Sequence, residues 1–378
     1  MTKGGLEDVV ATDSAICFVD GKEGRLIYRG YDIRDLAQHS SFEEVVYLLM
    51  FGRLPTKGEL DNLQKELRLH RQLPADVVTA MKRFPKAALP MEVLRSVVSM
   101  LSMYDPDGDD NSRDANIRKA TRLLAQMPTI IAHWDNIRND REPISPLAEG
   151  NTAFNFLYML KGNKAQELEA RSLDVALILH ADHELNASTF AARVAAGTET
   201  DMHSAITAAI GTLKGPLHGG ANQEVIKMLL KIGDESKLES FIKNAFAEHK
   251  KIMGFGHRVY KTDDPRAAFL KQMSKELGER HGELKWYNMS VRIAELVMQE
   301  KKLYPNVDFF SASVYYMLEI PVDLYTPIFA ISRMAGWAAH VLEQLSNNRL
   351  IRPRAEYVGA SDLKYEPIER RETVAAKG

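Results

Sequence analysis

Apolar positions recur three and four residues apart along most of the chain, with polar positions between them. That spacing predicts amphipathic helices. In "SFEEVVYLLMFGRLP", Ser41 stands three residues before Glu44 at the head of an apolar run, and Gly52 follows the run. The pair reads as a capping box and the glycine as a stop signal. "TKGELDNLQKELRLH" repeats the device with Thr56 and Glu59. "EARSLDVALILHADHEL" and "DMHSAITAAIGTLK" predict helices rich in small residues, suited to close packing, and "SVRIAELVMQEKKL" and "AISRMAGWAAHVLEQL" carry the same period. The clearest strand signal is "AICFVDGKEGRLIYRG", where two β-prone runs flank residues 20–24 and predict a hairpin. Strands and helices do not alternate, which argues against a parallel α/β sheet. Residues 105–118, "DPDGDDNSRDANIR", read as a polar loop. No repeat, low-complexity tract or compositional linker marks a domain boundary.

Composition narrows the function more than the fold. The chain has 378 residues, enough for one large domain or two. It carries 49 basic and 51 acidic residues for a net charge of -2, so any anion site is local, and no nucleic-acid partner is expected. Cys17 is the single cysteine, which excludes an internal disulfide and favours a reducing compartment. No signal-peptide core opens the sequence. No window reaches the ~18–20 apolar residues of a membrane span. The expected location is cytoplasmic, with no membrane partner.

Five stretches hold candidate chemistry. In "LKGPLHGGAN", His218 sits among glycines just before a helix starting near Ala221. A helix N-terminus disfavours imidazolium, and a neutral imidazole there can donate to a developing oxyanion. A turn histidine without a role is the plain alternative. In "GFGHRVYKTDDPR", His257 follows two glycines, and Asp264 and Pro265 read as N-cap and first turn of the next helix. Arg266 then opposes the helix dipole, so an anion explains it better than helix stability does. In "YPNVDFFSASVYYML", Asp308 is either an N-cap or a base whose pKa is raised by Phe309 and Phe310. In "TPIFAISRMAGWAAHVL", Arg333 is the only charge in an apolar helix and needs an anionic partner, structural or substrate. In "HADHELNAST", His180 and His183 share a helical face, with Asp182 nearby, but Ala187 stands where a zinc-binding pattern needs a second histidine. Neutral histidines, a carboxylate and arginines suit proton abstraction beside a carbonyl, with carboxylate substrates held bidentately.

Taken together, "LKGPLHGGAN", "MGFGHRVYKTDDPRA" and "YPNVDFFS", in this order, resemble the citrate synthase family, in its short bacterial and archaeal form, from "GLEDV" to "IRPRAEYVG". The resemblance implies an all-α fold with a short N-terminal β-hairpin. It implies a large domain of residues 1–218 and 316–378 that forms a homodimer, and a small domain of residues 219–315 that closes over the substrates. It implies that His218, His257 and Asp308 are catalytic. His183, Arg266 and Arg333 would bind oxaloacetate, and Arg352 would do so from across the dimer interface. Lys251, Ile252, Met253 and Gly254 match the coenzyme A segment, with Lys261 and Arg354 as phosphate contacts. Acetyl-CoA is then a substrate, and no metal or permanently bound cofactor is expected. Arg258 has no role in this scheme. One departure stands out: Ala312 occupies a position after Asp308-x-x-Ser311 that is usually glycine in the family.

Three other readings compete. The same residues serve a 2-methylcitrate synthase using propionyl-CoA, since one methylene is worth only about 1–3 kcal/mol of discrimination. A metal-dependent hydrolase would use His180, Asp182 and His183. A helical binding scaffold would have no activity.

Overall fold

The computed structural model describes residues 4–6, 9–257 and 259–371; Glu7 and Asp8 of the N-terminal match and Arg258 lie outside them. Sixteen α-helices and one small sheet make up the regular structure among the described residues. The expected hairpin forms from β1 (Cys17–Asp20) and β2 (Arg25–Tyr28), paired antiparallel with Cys17 opposite Tyr28. Its inward positions Cys17, Val19, Leu26 and Tyr28 are buried and Phe18 is exposed, the period-two pattern of a half-buried ribbon. A third strand, β3 (Tyr31–Asp32), extends the sheet beside β2. At two residues it is too short to leave a sequence signal.

The caps form as their spacing predicts. Ser41 and Glu44 close a capping box on the Phe42–Phe51 helix, and Gly52 ends it at φ 82. Thr56 and Glu59 do the same for Lys57–His70. Two helices make the centre, Arg113–Arg138 and Tyr325–Ser346, buried along nearly their whole lengths and packed on each other. Glu167–His180 packs against the second. The alanine-rich helices Ala187–Ala196 and Met202–Leu213 lie closely side by side, as small residues permit. Five more, Ala221–Ile232, Leu238–Ala247, Ala267–His281, Lys285–Lys301 and Val307–Met317, pack chiefly on one another. They meet the rest mainly where Ala221–Ile232 touches Tyr325–Ser346, and where Ala267–His281 and Val307–Met317 touch Glu167–His180. No helix among the described residues is long and apolar enough to cross a membrane.

Four local expectations change. The polar loop at 105–118 ends early, because Ser112 caps a helix that begins at Arg113. The "HADHEL" helix stops at His180, so His180 and His183 do not share a helical face. Asn306, not Asp308, caps Val307–Met317, accepting from the Asp308 N–H. The helix after Asp264-Pro265 begins at Ala267, with Arg266 at the capping position. Asp264 turns instead to the Arg266 guanidinium.

Residues 254–256 run antiparallel to residues 304–306. The Asn306 N–H donates to Gly254 O at 2.9 Å, and the Gly256 N–H to Tyr304 O at 2.9 Å. Gly254 sits at φ 83, and a Cβ there would stand 2.8 Å from Val225 Cγ2 and 2.9 Å from Phe309 Cδ2. Its glycine is therefore required by backbone conformation and by packing against the Asp308 helix. Gly254→Ala is expected to lower stability by about 1–3 kcal/mol, the range for overpacking plus a strained φ. Denaturant unfolding measures this directly, and an unchanged midpoint would refute it.

Candidate active site

His218 lies in the loop between Met202–Leu213 and Ala221–Ile232, on the turn closed by its own N–H to Gly215 O at 3.0 Å. Its Nε2 is 2.8 Å from Ser188 Oγ and 3.3 Å from the Ser188 N–H, at the start of the Ala187–Ala196 helix. Asn186 Oδ1, 3.2 Å from the same nitrogen, already accepts from the Thr189 N–H at 3.1 Å. The backbone donor therefore makes Nε2 an acceptor and leaves the proton on Nδ1. The pKa of His218 falls to about 4, through burial first and the Arg333 charge second.

His257 is held from the opposite side. Its Nδ1 accepts from the Val259 N–H at 3.0 Å and the Tyr260 N–H at 3.1 Å. The proton of its neutral form therefore sits on Nε2. Burial, then Arg266, lower its pKa to about 4. His183 stacks edge-on against it with ring centroids 5.0 Å apart, and its Nε2 is 3.4 Å from the Tyr260 hydroxyl. Burial, then Arg266, His257 and Arg333, hold His183 well below the usual histidine range.

Arg266 and Arg333 are both buried in this cleft. Arg266 meets Asp264 bidentately, through Nε at 2.9 Å and Nη2 at 2.8 Å. The anion proposed for Arg266 is thus first of all a carboxylate of the protein. Arg333 has no such partner among the described residues: Nε donates to His180 O at 2.8 Å, Nη1 has no partner, and the guanidinium lies over Phe329. Asp308 sits on the second residue of Val307–Met317, and burial pushes its carboxyl up to about 6, against the pull of Arg266 and Arg333. The two guanidiniums also act on His180 and His183, which ties the cleft into one electrostatic unit.

The candidate metal ligands are not assembled. His180 Nδ1 bonds to Ala176 O at 2.8 Å, while Asp182 bonds to His340 Nε2 at 2.9 Å and to the His183 N–H. No metal-holding group of three or more His, Cys, Asp or Glu occurs among the described residues. Lys251 is exposed, and Ile252 and Met253 are half-buried beside Gly254. Lys261 lines a cavity of about 230 Å³ with His257, Tyr260, Lys302 and Asn306. Arg352 and Arg354 lie far along the exposed C-terminal segment, and Arg352 lines a groove with Val9, Ser14, Arg193 and Glu343 rather than this cleft. Within one chain, then, Arg352 and Arg354 are not brought to the others. Ala312 is fully buried in the Asp308 helix. Sequence reasoning missed Ser188, Tyr260 and the pairing role of Asp264, whose partners are distant or side-chain specific.

The fold is mostly helical, and the cleft gathers neutral histidines, a carboxylate and two guanidiniums, a set suited to acid–base chemistry. The family model described as "Citrate synthase, C-terminal domain" matches residues 5–354. Citrate synthase 2 of Bacillus subtilis is 51% identical over 97% of this chain and 98% of its own length. The 2-methylcitrate synthase of Shewanella oneidensis is 42% identical over 98% of each chain. The solved structure of the ternary complex of carboxymethyl coenzyme A and oxaloacetate with citrate synthase from Thermoplasma acidophilum superposes with a TM-score of 0.91 at 35% identity, covering 97% of this chain and 98% of that one. The chain belongs to the citrate synthase family.

Asp308 has an ordinary carboxyl value of 3.8 and a folded value of about 6, so folding favours its protonated form. That contribution is complete below pH 4 and is lost as pH rises through 6. Asp308→Asn is therefore expected to be more stable than the native protein by about 2–3 kcal/mol at pH 8, with a smaller gain at pH 5. His218 and His257 titrate in the opposite sense but equally in both proteins, so the difference isolates Asp308. Paired denaturant curves at the two pH values test it; a gain independent of pH would refute it.

Proposed function

We propose that this cleft condenses acetyl-CoA with oxaloacetate and hydrolyses the resulting thioester, releasing citrate and CoA. The observation that carries the reading is the pairing of two histidines fixed in neutral, oppositely anchored tautomers with one half-buried carboxylate of raised pKa. Asp308 removes a methyl proton from acetyl-CoA. His218, with Nε2 occupied by Ser188, donates Nδ1–H to the thioester oxygen and stabilises the enol or enolate. His257 directs Nε2–H at the ketone oxygen of oxaloacetate and gives up that proton as the carbon–carbon bond forms. Water then cleaves citryl-CoA to citrate and CoA.

Arg333, His183 and Arg266 bind the oxaloacetate carboxylates. The partnerless Nη1 of Arg333 supports this most directly, since a buried guanidinium atom without an acceptor is costly. Coenzyme A lies along Lys251, Ile252, Met253 and Gly254, with Lys261 toward a phosphate. Residues 219–315 form the small domain, in keeping with the mutual packing of their five helices, and its closure keeps water from the enol. In the homodimer, Arg352 enters the partner's cleft, and Arg354 follows as a phosphate contact. Their exposure on an extended segment supports that route. The same chemistry accepts propionyl-CoA, and the matched 2-methylcitrate synthase keeps that reading open.

Thiol release from acetyl-CoA that depends on oxaloacetate tests the reaction; release without it would indicate a plain thioesterase. Asp308→Asn and His257→Ala should each lower kcat about 10²–10⁴-fold. The acid limb of kcat/KM should fall near pH 6, where Asp308 protonates, because the histidines stay neutral down to about 4. A kcat/KM ratio favouring propionyl-CoA would reassign the substrate.

Shared sites make a second prediction. Arg352→Leu and Asp308→Asn homodimers should both be nearly inactive, whereas co-expressed mixtures should recover about a quarter of native activity, since half the dimers then hold one intact site. No recovery would place Arg352 in its own chain's site, and an active Arg352→Leu homodimer would place it outside any site.

A further inference from the structure

The hairpin that carries Cys17 touches both histidine loops. At its base, the Tyr28 hydroxyl donates to Asp182 O at 2.9 Å and accepts from the Asp182 N–H at 3.1 Å, next to His183. At its tip, Gly21 O accepts from the Lys261 N–H at 2.8 Å. The tip is a preformed turn, because Asp20 Oδ1 accepts from the Lys22 and Glu23 N–H groups at 2.9 and 3.0 Å.

Two glycines set the fit. A Cβ on Gly21 would overlap the Val259 carbonyl oxygen and stand 2.8 Å from its carbonyl carbon. A Cβ on Gly24, at φ 60, would stand 2.8 Å from Asp263 O. The obstructed atoms are backbone, so neither contact yields to a side-chain rotation. The peptide unit pressed on Gly21 is also the one that holds His257. Val259 C=O and Tyr260 N–H belong to one planar group. The oxygen end rests on Gly21, and the N–H end donates to His257 Nδ1 at 3.1 Å. Moving that plane turns the imidazole.

We propose that Gly21 and Gly24 are positioning residues of the condensation: the hairpin tip seats the 259–263 backbone and through it aims His257 Nε2 at the substrate ketone. Tyr28 fixes the other end of the same hairpin to the His183 loop, so the strut also sets the 5.0 Å spacing of the two rings. The inference rests on the role given to His257 above.

The test separates the step that uses His257 from the step that does not. Condensation is measured as oxaloacetate-dependent thiol release. Proton abstraction is measured as exchange of acetyl-CoA methyl protons into D2O with (S)-malate, which cannot condense, in place of oxaloacetate. Gly21→Ala should lower condensation kcat about 10-fold or more, since displacement of a reacting group by an ångström can cost about 10²-fold. At saturating (S)-malate, exchange, whose chemical step uses Asp308 and His218, should change less than about 3-fold. Lys22→Ala, in the same turn but with an exposed side chain, should leave both rates unchanged. Gly24→Ala makes the same comparison at a second contact, should Gly21→Ala fail to fold. Unimpaired condensation in the folded glycine variants, or a parallel loss of both rates, overturns the proposal. His257→Ala is the reference: if it condenses normally, the role of His257 fails first. If it is inactive while the glycine variants are not, the strut alone fails.

Discussion

Asp264 and Arg266 are both buried, and burying each charge costs several kcal/mol that only near-ideal geometry returns. The pair meets that demand. Two parallel bonds join carboxylate to guanidinium, the Arg266 N–H reaches Asp264 Oδ1 at 3.1 Å, and the Val307 N–H reaches Oδ2 at 3.1 Å. That last bond places an anion at the N-terminus of the helix carrying Asp308, where the helix dipole favours it. One carboxylate thus makes a buried cation tolerable, anchors the helix that carries Asp308, and sits in the loop that ends the His257 segment. Arg333 is the contrast. Among the described residues it receives a carbonyl and an aromatic face but no carboxylate in ion-pair contact, with Asp182 acting on it only through space.

The two guanidiniums act in opposite directions on the groups around them. Burial drives every titratable group here toward its neutral form, lowering histidine and raising aspartate. The cations deepen the first effect and oppose the second: they push His218 and His257 further down, and they hold Asp308 to about 6. At neutral pH the result is two uncharged hydrogen-bond donors beside an ionised carboxylate. Burial raises the Asp308 carboxyl while the two cations limit the rise, and the same cations add to the burial that keeps the imidazoles neutral.

What the chain made legible was local. Capping boxes, the hairpin and the apolar setting of Asp308 depend on neighbours a few residues away, so their spacing carries them. Where a helix stops depends on more. The stretch after His180 leaves the helix because Asp182 is claimed by His340 and by the Tyr28 hydroxyl, each about 155 residues distant in sequence. Ser188 was invisible as a partner of His218 for the same reason, at 30 residues. At Gly254 a second requirement was hidden: beyond its match to the coenzyme A segment, its positive φ and its close approach to Val225 and Phe309 require a glycine whatever the ligand.

Ala312 bears on the same helix from the opposite direction. A glycine inside a helix costs about 1 kcal/mol relative to alanine, through backbone freedom lost on folding. Alanine at this position therefore stiffens the segment behind Asp308, provided its methyl group fits. It lies fully buried in a cluster that includes Phe309 and Phe310, and the next residue, Ser313, bonds to Ser274 Oγ at 2.8 Å on Ala267–His281. That helix begins beside Arg266. The Asp308 helix is thus pinned to its neighbour at two points, Asp264 to Val307 at its start and Ser274 to Ser313 further along. Between them the methyl of Ala312 occupies packed space.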